Sequence, residues 1–427
     1  MGDEDVGSDP SGPLRSGQAN DSVEKELMRL LLVSHSPNNP DGGASRVYHF
    51  LSDGFRQRGH EVVCLHLDDV ELPCAFQRAA IRCMLPIYMS RAAAQVMRQN
   101  SAPFDIVFSS NGMLAPLSRR LLQKPDRPLL VSHYHGLNFF DIQATLAEAK
   151  KGNIRVSPLF RWVTGPIPMR WDRRGAHFAD LSIVQNRRDE QALLEQGVRN
   201  VKRIPLGVHP EIIAAGENAP RQTERNPKTL FWFGSWTDRK GIYYLPEAFA
   251  RICERFPETQ LTIGGTGKSP EEITGQFQAQ LRSRITVLPR ISIGEQILRM
   301  ADHAIFLFPS LSEGFGFAAL EALAMGMAVI ATPTGLGADW LTDRQNARLI
   351  PASSSRHLSD AANELIEDSK LREHLAENGR QLAQTLTVGQ MIDTYEQVLT
   401  MFLDQHRHRI TTANKGRNPR RGIEGTA

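Results

Sequence analysis

Two glutamates, Glu313 and Glu321, stand eight positions apart around a glycine-aromatic-glycine turn in SEGFGFAALEALAMG, Ser312 to Gly326. Upstream, Ile305 to Phe308 reads as a short buried strand ended by Pro309 and Ser310. Downstream, Ala319, Leu320, Leu323 and Ala324 have helical spacing. The turn is expected to join strand to helix. Gly314 and Gly316, on either side of Phe315, let backbone N–H groups come close to a ligand. The helix start beyond them supplies unpaired donors and a positive dipole end, which suit a phosphate. That anion would repel both carboxylates, so their chemistry is to accept hydrogen bonds from neutral hydroxyls on either side of it. The ligand so described is a sugar, a diphosphate and a nucleoside in series.

The elements that position this turn follow an alternating grammar. From Leu30 the chain runs LLLV, SRVYHFLSDGFRQRG, EVVCLHL, then DIVFSS and PLLVSHY, strand-like and helix-like segments in turn. A second run starts at LFWFGS and passes through YYLPEAFARICERF, QLTIGG, RITVLP and GEQILRMA to the strand and helix of the signature. Two doubly wound α/β domains are expected, at 28–207 and 229–387, with ligands at the carboxyl ends of the strands. Residues 208–228, rich in Pro, Gly, Asn and Glu, read as the interdomain linker, and 388–405 as an amphipathic terminal helix.

At this point the chain resembles the retaining glycosyltransferases of family 4, whose signature is a Glu, seven residues and a second Glu. The resemblance runs from about Arg29 to about Asp404. It takes in LLLVSHSPNNPDGG, FGSWTDRKGI and PTGLGADWLTDRQNARLIP besides the signature. It implies the GT-B fold, two Rossmann-like domains facing a central cleft, with the terminal helix crossing back to the first domain. It implies a nucleoside-diphosphate sugar as donor, a saccharide or lipid-linked acceptor, and no metal or other cofactor.

By the same resemblance, Lys240 neutralises the diphosphate as it leaves. Arg239 is either a second cation for that charge or an exposed residue, since the arginine common directly after the strand glycine is Ser235 here. His135, before Gly136, corresponds to the active-site histidine that contacts the transferred sugar; His133 reads as a core residue. Gly43, of the Gly42-Gly43 pair, would let donor phosphates or acceptor approach the backbone. Without a third glycine or a downstream acid, that pair is no dinucleotide fingerprint. TIGGTGKSP is not a phosphate loop either, because Thr262 stands where glycine is needed and Pro270 follows Ser269 at once. VLPR, Val287 to Arg290, would lie by the nucleobase. The competing readings are a nucleotide-sugar 2-epimerase of similar fold and a catalytically silent sugar-nucleotide binding protein.

Bulk properties fit an enzyme of this kind. The 427 residues are 41% hydrophobic and 23% charged, enough for two cores. Cys64, Cys74, Cys83 and Cys253 show no C-x-x-C pairing, so a reducing cytoplasm is expected. No signal peptide or membrane span is legible. A net charge of +3 gives no case for nucleic acid. Charge concentrates at the ends: residues 1–27 carry seven acids and 406–427 six Lys or Arg, and both read as disordered tails. The triplet Asp3-Glu4-Asp5 reads as a solvated cluster rather than a metal site. Two stretches are basic and apolar together, 75–100 with Arg78, Arg82, Arg91 and Arg98, and 155–174 with five arginines opposed only by Asp172. They raise peripheral membrane contact as an expectation.

Overall fold

A computed structural model describes residues 26–73 and 78–416. Most of the two charged tails, and Cys74, lie outside the described residues. Six parallel strands form the first sheet: β1 (Arg29–Val33), β2 (Glu61–Leu65), β3 (Ile106–Ser110), β4 (Leu129–His133), β5 (Leu181–Val184) and β6 (Val201–Arg203), in the order β2-β1-β3-β4-β5-β6. The second holds β7 (Thr229–Phe233), β8 (Gln260–Gly264), β9 (Ile285–Leu288), β10 (Ile305–Phe308), β11 (Ala328–Ala331) and β12 (Arg348–Leu349), ordered β12-β11-β10-β7-β8-β9. Every pairing is parallel, for example Ile305 with Ala328 and Leu230 with Leu261. The central strands are apolar and buried along their length because helices cover both faces.

The covering helices of the first sheet are α1 (Gly43–Gln57), α2 (Arg78–Gln99), α3 (Ala115–Leu121), α4 (Asn138–Lys150), α5 (Pro166–Phe178) and α6 (Arg187–Glu195). Those that follow are α7 (Pro210–Glu217), α8 (Leu245–Arg255), α9 (Pro270–Thr274), α10 (Ile293–Asp302), α11 (Phe317–Ala324), α12 (Leu336–Asp339), α13 (Ser355–Glu367), α14 (Ser369–Gln384) and α15 (Val388–Gly416). In each sheet the strand order reverses beside the first strand, between β1 and β3 and between β7 and β10. That is the position where doubly wound sheets open a ligand crevice. One apolar cluster runs from Leu30, Tyr48 and Phe108 in the first domain through Tyr395 and Phe402 of α15 to Phe306 and Leu320 in the second.

Two expectations need correcting. The stretch 208–228 is not an open linker: His209 caps α7, whose Gly216 packs against the Ala324 carbonyl. Arg225 is buried and donates to the carbonyls of Pro220, Met300, His303 and Met325 at 2.6–3.1 Å, closing the ends of α10 and α11. The terminal helix does not stop at 405 but continues to Gly416. Arg407 pairs with Glu26 and, at 2.7 Å, with Asp105, while His406 meets the Arg127 carbonyl at 2.9 Å. Composition alone read those basic residues as tail because their partners are distant in sequence. The chain crosses between domains twice in the same place, where Val208 N donates to Leu386 O at 2.7 Å. From there α15 lies along α1, with Ile392 against Gly54 and Glu396 on His60 at 2.7 Å and on Arg58 at 3.2 Å.

Candidate active site

The signature turn leaves β10 at Phe308 and enters α11 at Phe317, as strand, loop and helix. Gly316 caps the helix with φ at +113°, in the left-handed region that favours glycine. Gly314 is required for a different reason. A side chain there would overlap the carbonyl of His135, since the loop after β4 and the loop after β10 meet backbone to backbone across the cleft. Asn186 clamps the contact by donating to Gly314 O at 2.6 Å, and Asn111 donates to Gly136 O at 3.1 Å.

The side chain of Glu313 is buried in this turn. Lys240 Nζ lies 2.6 Å from Oε1, Ser310 Oγ donates to the same oxygen at 2.7 Å, and Arg239 reaches Oε2 at 3.2 Å. Burial pushes the Glu313 carboxyl up, but Lys240 and Arg239 outweigh it and hold the group below the usual range, ionised. Lys240 is drawn below the ordinary lysine value by burial and by Arg239, against the pull of Glu313. Arg239 therefore joins the cluster, whereas Ser235 is exposed. Both cations come from the short 3₁₀ turn Asp238–Lys240, which ends at left-handed Gly241. A fourth charged group, not singled out from the sequence, is Asp141 on α4. Burial raises its carboxyl above the ordinary range, opposed by Arg239 and a hydrogen bond from Ser312.

Glu321 is 1% exposed and has both oxygens engaged. Gln296 Nε2 donates to one at 2.6 Å, and the guanidinium of Arg46 pairs with the other. Arg46 comes from the first turn of α1 and also donates to the carbonyls of Pro40 and Asp41. Arg46 and Gln296 escaped the sequence reading because each lies in an ordinary amphipathic helix pattern. Gly43 opens the same helix and is exposed; a Cβ there would meet nothing within 4 Å, so packing does not demand the glycine.

His135 sits just beyond β4, its ring 4.6 Å from that of His133 and 5.6 Å from that of Tyr48. Gln185 Nε2 donates to Nδ1 at 3.3 Å, which leaves the ring proton on Nε2, a buried atom without a partner among the described residues. Burial, together with His133 and His35, holds the imidazole neutral, far below its usual pKa. His133 is fully buried, lowered to about 3 by burial, and accepts from the Tyr395 hydroxyl of α15 at 2.8 Å. Beside it, burial lowers His35 to about 4, and His35 Nδ1 meets Ser110 Oγ at 2.8 Å. Glu313, Gly314, Phe315, Gly316, Lys240, Arg239 and His135 are thus brought together. Glu321 is paired with Arg46 of α1, the helix that Gly43 opens, and Gly43 itself touches neither side chain. No three His, Cys, Asp or Glu side chains among the described residues are grouped to hold a metal ion, and no described helix is long and apolar enough to cross a membrane.

Two family models match successive parts of the chain, Glycosyltransferase Family 4 over residues 41–212 and Glycosyl transferases group 1 over residues 217–382. The chain is 29% identical over 205 residues to a phosphatidyl-myo-inositol mannosyltransferase of Mycobacterium leprae, covering 46% of this chain and 54% of that protein. The matched part is thus about half of that relative's length. Among solved structures, sucrose-phosphate synthase from Thermosynechococcus elongatus superposes with a TM-score of 0.68 at 19% identity, covering 87% of this chain and 100% of that one. The Anabaena protein HepE in complex with UDP-glucose does so with a TM-score of 0.62 at 18% identity, covering 88% and 100%. With its fold, signature turn and both halves matched, the chain belongs to the group 1 glycosyltransferases of family 4.

Proposed function

We propose that the chain is a retaining enzyme that moves a hexose from a nucleoside-diphosphate sugar to a saccharide or lipid-linked acceptor in polysaccharide or glycoconjugate assembly. The observation that carries the reading is the cluster of buried Glu313 and Lys240 with half-buried Arg239, lying against the loop of neutral His135. Lys240 and Arg239 stabilise the negative charge that grows on the leaving diphosphate, helped by the amides at the start of α11. Among the described residues Glu313 Oε2 accepts only from Arg239, and it keeps a lone pair for a sugar hydroxyl. His135 Nε2–H offers a donor to the same sugar. Glu321 serves the ribose by exchanging one of its present partners for a ribose hydroxyl. The bond from the anomeric carbon to the diphosphate oxygen breaks, the bond to the acceptor oxygen forms on the same face, and the departing oxygen takes the acceptor proton.

The proposed donor class draws support from the UDP-glucose held by HepE. The proposed location is the cytoplasm, at the inner face of a membrane. Because Lys240 and Arg239 would supply two side-chain cations to the proposed diphosphate position, turnover is expected to survive chelation; rescue of an EDTA-killed enzyme by magnesium would overturn that part. The main test is thermal stabilisation by a panel of UDP-, GDP- and ADP-sugars, since a ligand that binds the native state raises its stability by mass action. The anomeric configuration of the product with the selected donor is then read by NMR. A product of inverted configuration, or donor epimerised without any acceptor, would overturn the reading. Donor binding without turnover on any acceptor would favour the silent binding protein.

A further inference from the structure

The two basic, apolar stretches of the first domain meet in the fold. α2 and α5 pack on one another, and the π-helical turn Phe160–Thr164 lies against both. Trp171 Nε1 donates to the Cys83 carbonyl at 2.9 Å across the junction.

Tertiary structure sorts the charges. Asp172, the one acid in 155–174, is turned inward: its carboxylate accepts from Asn138 N at 2.9 Å and Asn138 Nδ2 at 3.0 Å, and the residue is 4% exposed. Arg155, Arg161, Arg170, Arg173 and Arg174 stay exposed, and none of them forms an ion pair among the described residues. Between them Trp162 is 76% exposed, Leu159 59% and Val163 47%. An indole this bare beside arginines that lack counter-charges is neither core packing nor an ordinary solvated helix edge. A second copy of the chain fits it poorly, because a two-fold contact would set the arginines against themselves. An anionic bilayer answers both features, phosphates meeting guanidiniums while the indole and leucine enter the boundary between headgroups and acyl chains.

We propose that this face docks on an anionic lipid surface. It adjoins the reaction site through α4. Phe160–Thr164 ends at Gly165 beside Ile142 of α4, the same helix that packs on the Asp238–Lys240 turn of the active site. Docking here would hold a lipid-borne acceptor beside the cleft. The inference rests on the lipid-linked form of the proposed acceptor, and donor binding is measured separately so that the two can fail apart.

The test is co-sedimentation of the full chain with vesicles of phosphatidylglycerol and phosphatidylcholine against vesicles of phosphatidylcholine alone. Binding to the anionic vesicles at low salt, lost as salt rises above roughly 0.5 M, is expected. The triple variant Arg161→Glu, Arg170→Glu, Arg173→Glu should partition at least about tenfold less. Trp162 emission should shift to the blue on binding, read as the difference between wild type and Trp162→Phe. Thermal stabilisation by UDP or GDP should be equal in wild type and triple variant, showing that the variant is folded. No sedimentation of wild type at low salt would overturn the proposal, as would equal sedimentation of the triple variant. A wild-type dimer broken by the same substitutions, without vesicle binding, would assign the face to self-association instead. Absence of nucleotide stabilisation in both proteins would count against the donor reading and leave the lipid result standing.

Discussion

Glu313 and Lys240 keep each other charged inside the protein, so removing one changes the other. With Lys240→Ala the Glu313 carboxyl loses its 2.6 Å partner, and burial, already pushing it up, is opposed only by Arg239 and Ser310. We expect kcat to fall about 10²–10³-fold, the scale for losing one preorganised charge-stabilising group, with the acid limb of the pH–rate profile displaced to higher pH. An unmoved acid limb would mean that Glu313 is not the group being held ionised. The second pair behaves differently, because Arg46 and Glu321 are both buried and belong to opposite domains. Glu321→Ala strands the guanidinium and should cost roughly 3–5 kcal/mol of stability, whereas the double variant Arg46→Met, Glu321→Ala should recover much of it. Calorimetry on the double variant should still show weaker binding of UDP or GDP; unchanged affinity would remove Glu321 from the ribose.

At the scale of elements, α15 contributes more than a cover for α1. Its Tyr395 hydroxyl is the partner of His133 Nε2, one residue removed from the loop that carries His135. Tyr395→Phe leaves this buried acceptor with only the longer 3.5 Å contact from Gln185 Nε2 and should lower unfolding free energy by about 1–3 kcal/mol, measured by urea denaturation. A larger fall in kcat than in donor affinity would show that the helix positions the histidine loop. The start of α6 carries a pH dependence. Burial raises the Asp189 carboxyl to about 7, although Asn186 bonds to it. Between about pH 4 and this value the native chain holds a proton that the unfolded chain has released. Stability therefore declines as pH rises across the window, by at most about 1.4 kcal/mol per pH unit. Asp189→Asn cannot ionise, so its melting temperature relative to wild type should climb as pH rises from about 5 to 8. A constant difference would contradict the shift.

Across the whole molecule, the cleft closes on Gly136 and Gly314, which leave no room for a Cβ on the second of them. Gly314→Ala should hold the domains apart while sparing Lys240 and Glu321. Nucleoside diphosphate affinity should then change little and turnover should drop at least roughly 100-fold, as small displacements of positioned groups do. Equal losses in binding and turnover would show that the glycine serves the donor alone. A second interdomain tie lies at the other end of α4, where Glu148 accepts from Tyr244 OH at 2.6 Å and Ser353 Oγ at 3.0 Å. Neither tie was legible in the sequence, since both join residues far apart in the chain.

By itself the sequence determined what local periodicity and turn chemistry can encode. Apolar strands alternating with amphipathic helices specify two doubly wound domains, and glycines between strand and helix mark the turns that carry Lys240, His135 and Glu313. These features act within a few residues of one another. Only the tertiary structure decided which distant side chains neutralise which buried charges. It set Arg46 on Glu321 and Asp141 beside Arg239, made α7 and Arg225 part of the second domain, and turned Asp172 inward while the arginines around it faced out. The physical reason is that burial makes an unpaired charge costly, and the partner that relieves the cost is selected by proximity in space, which one-dimensional spacing does not contain.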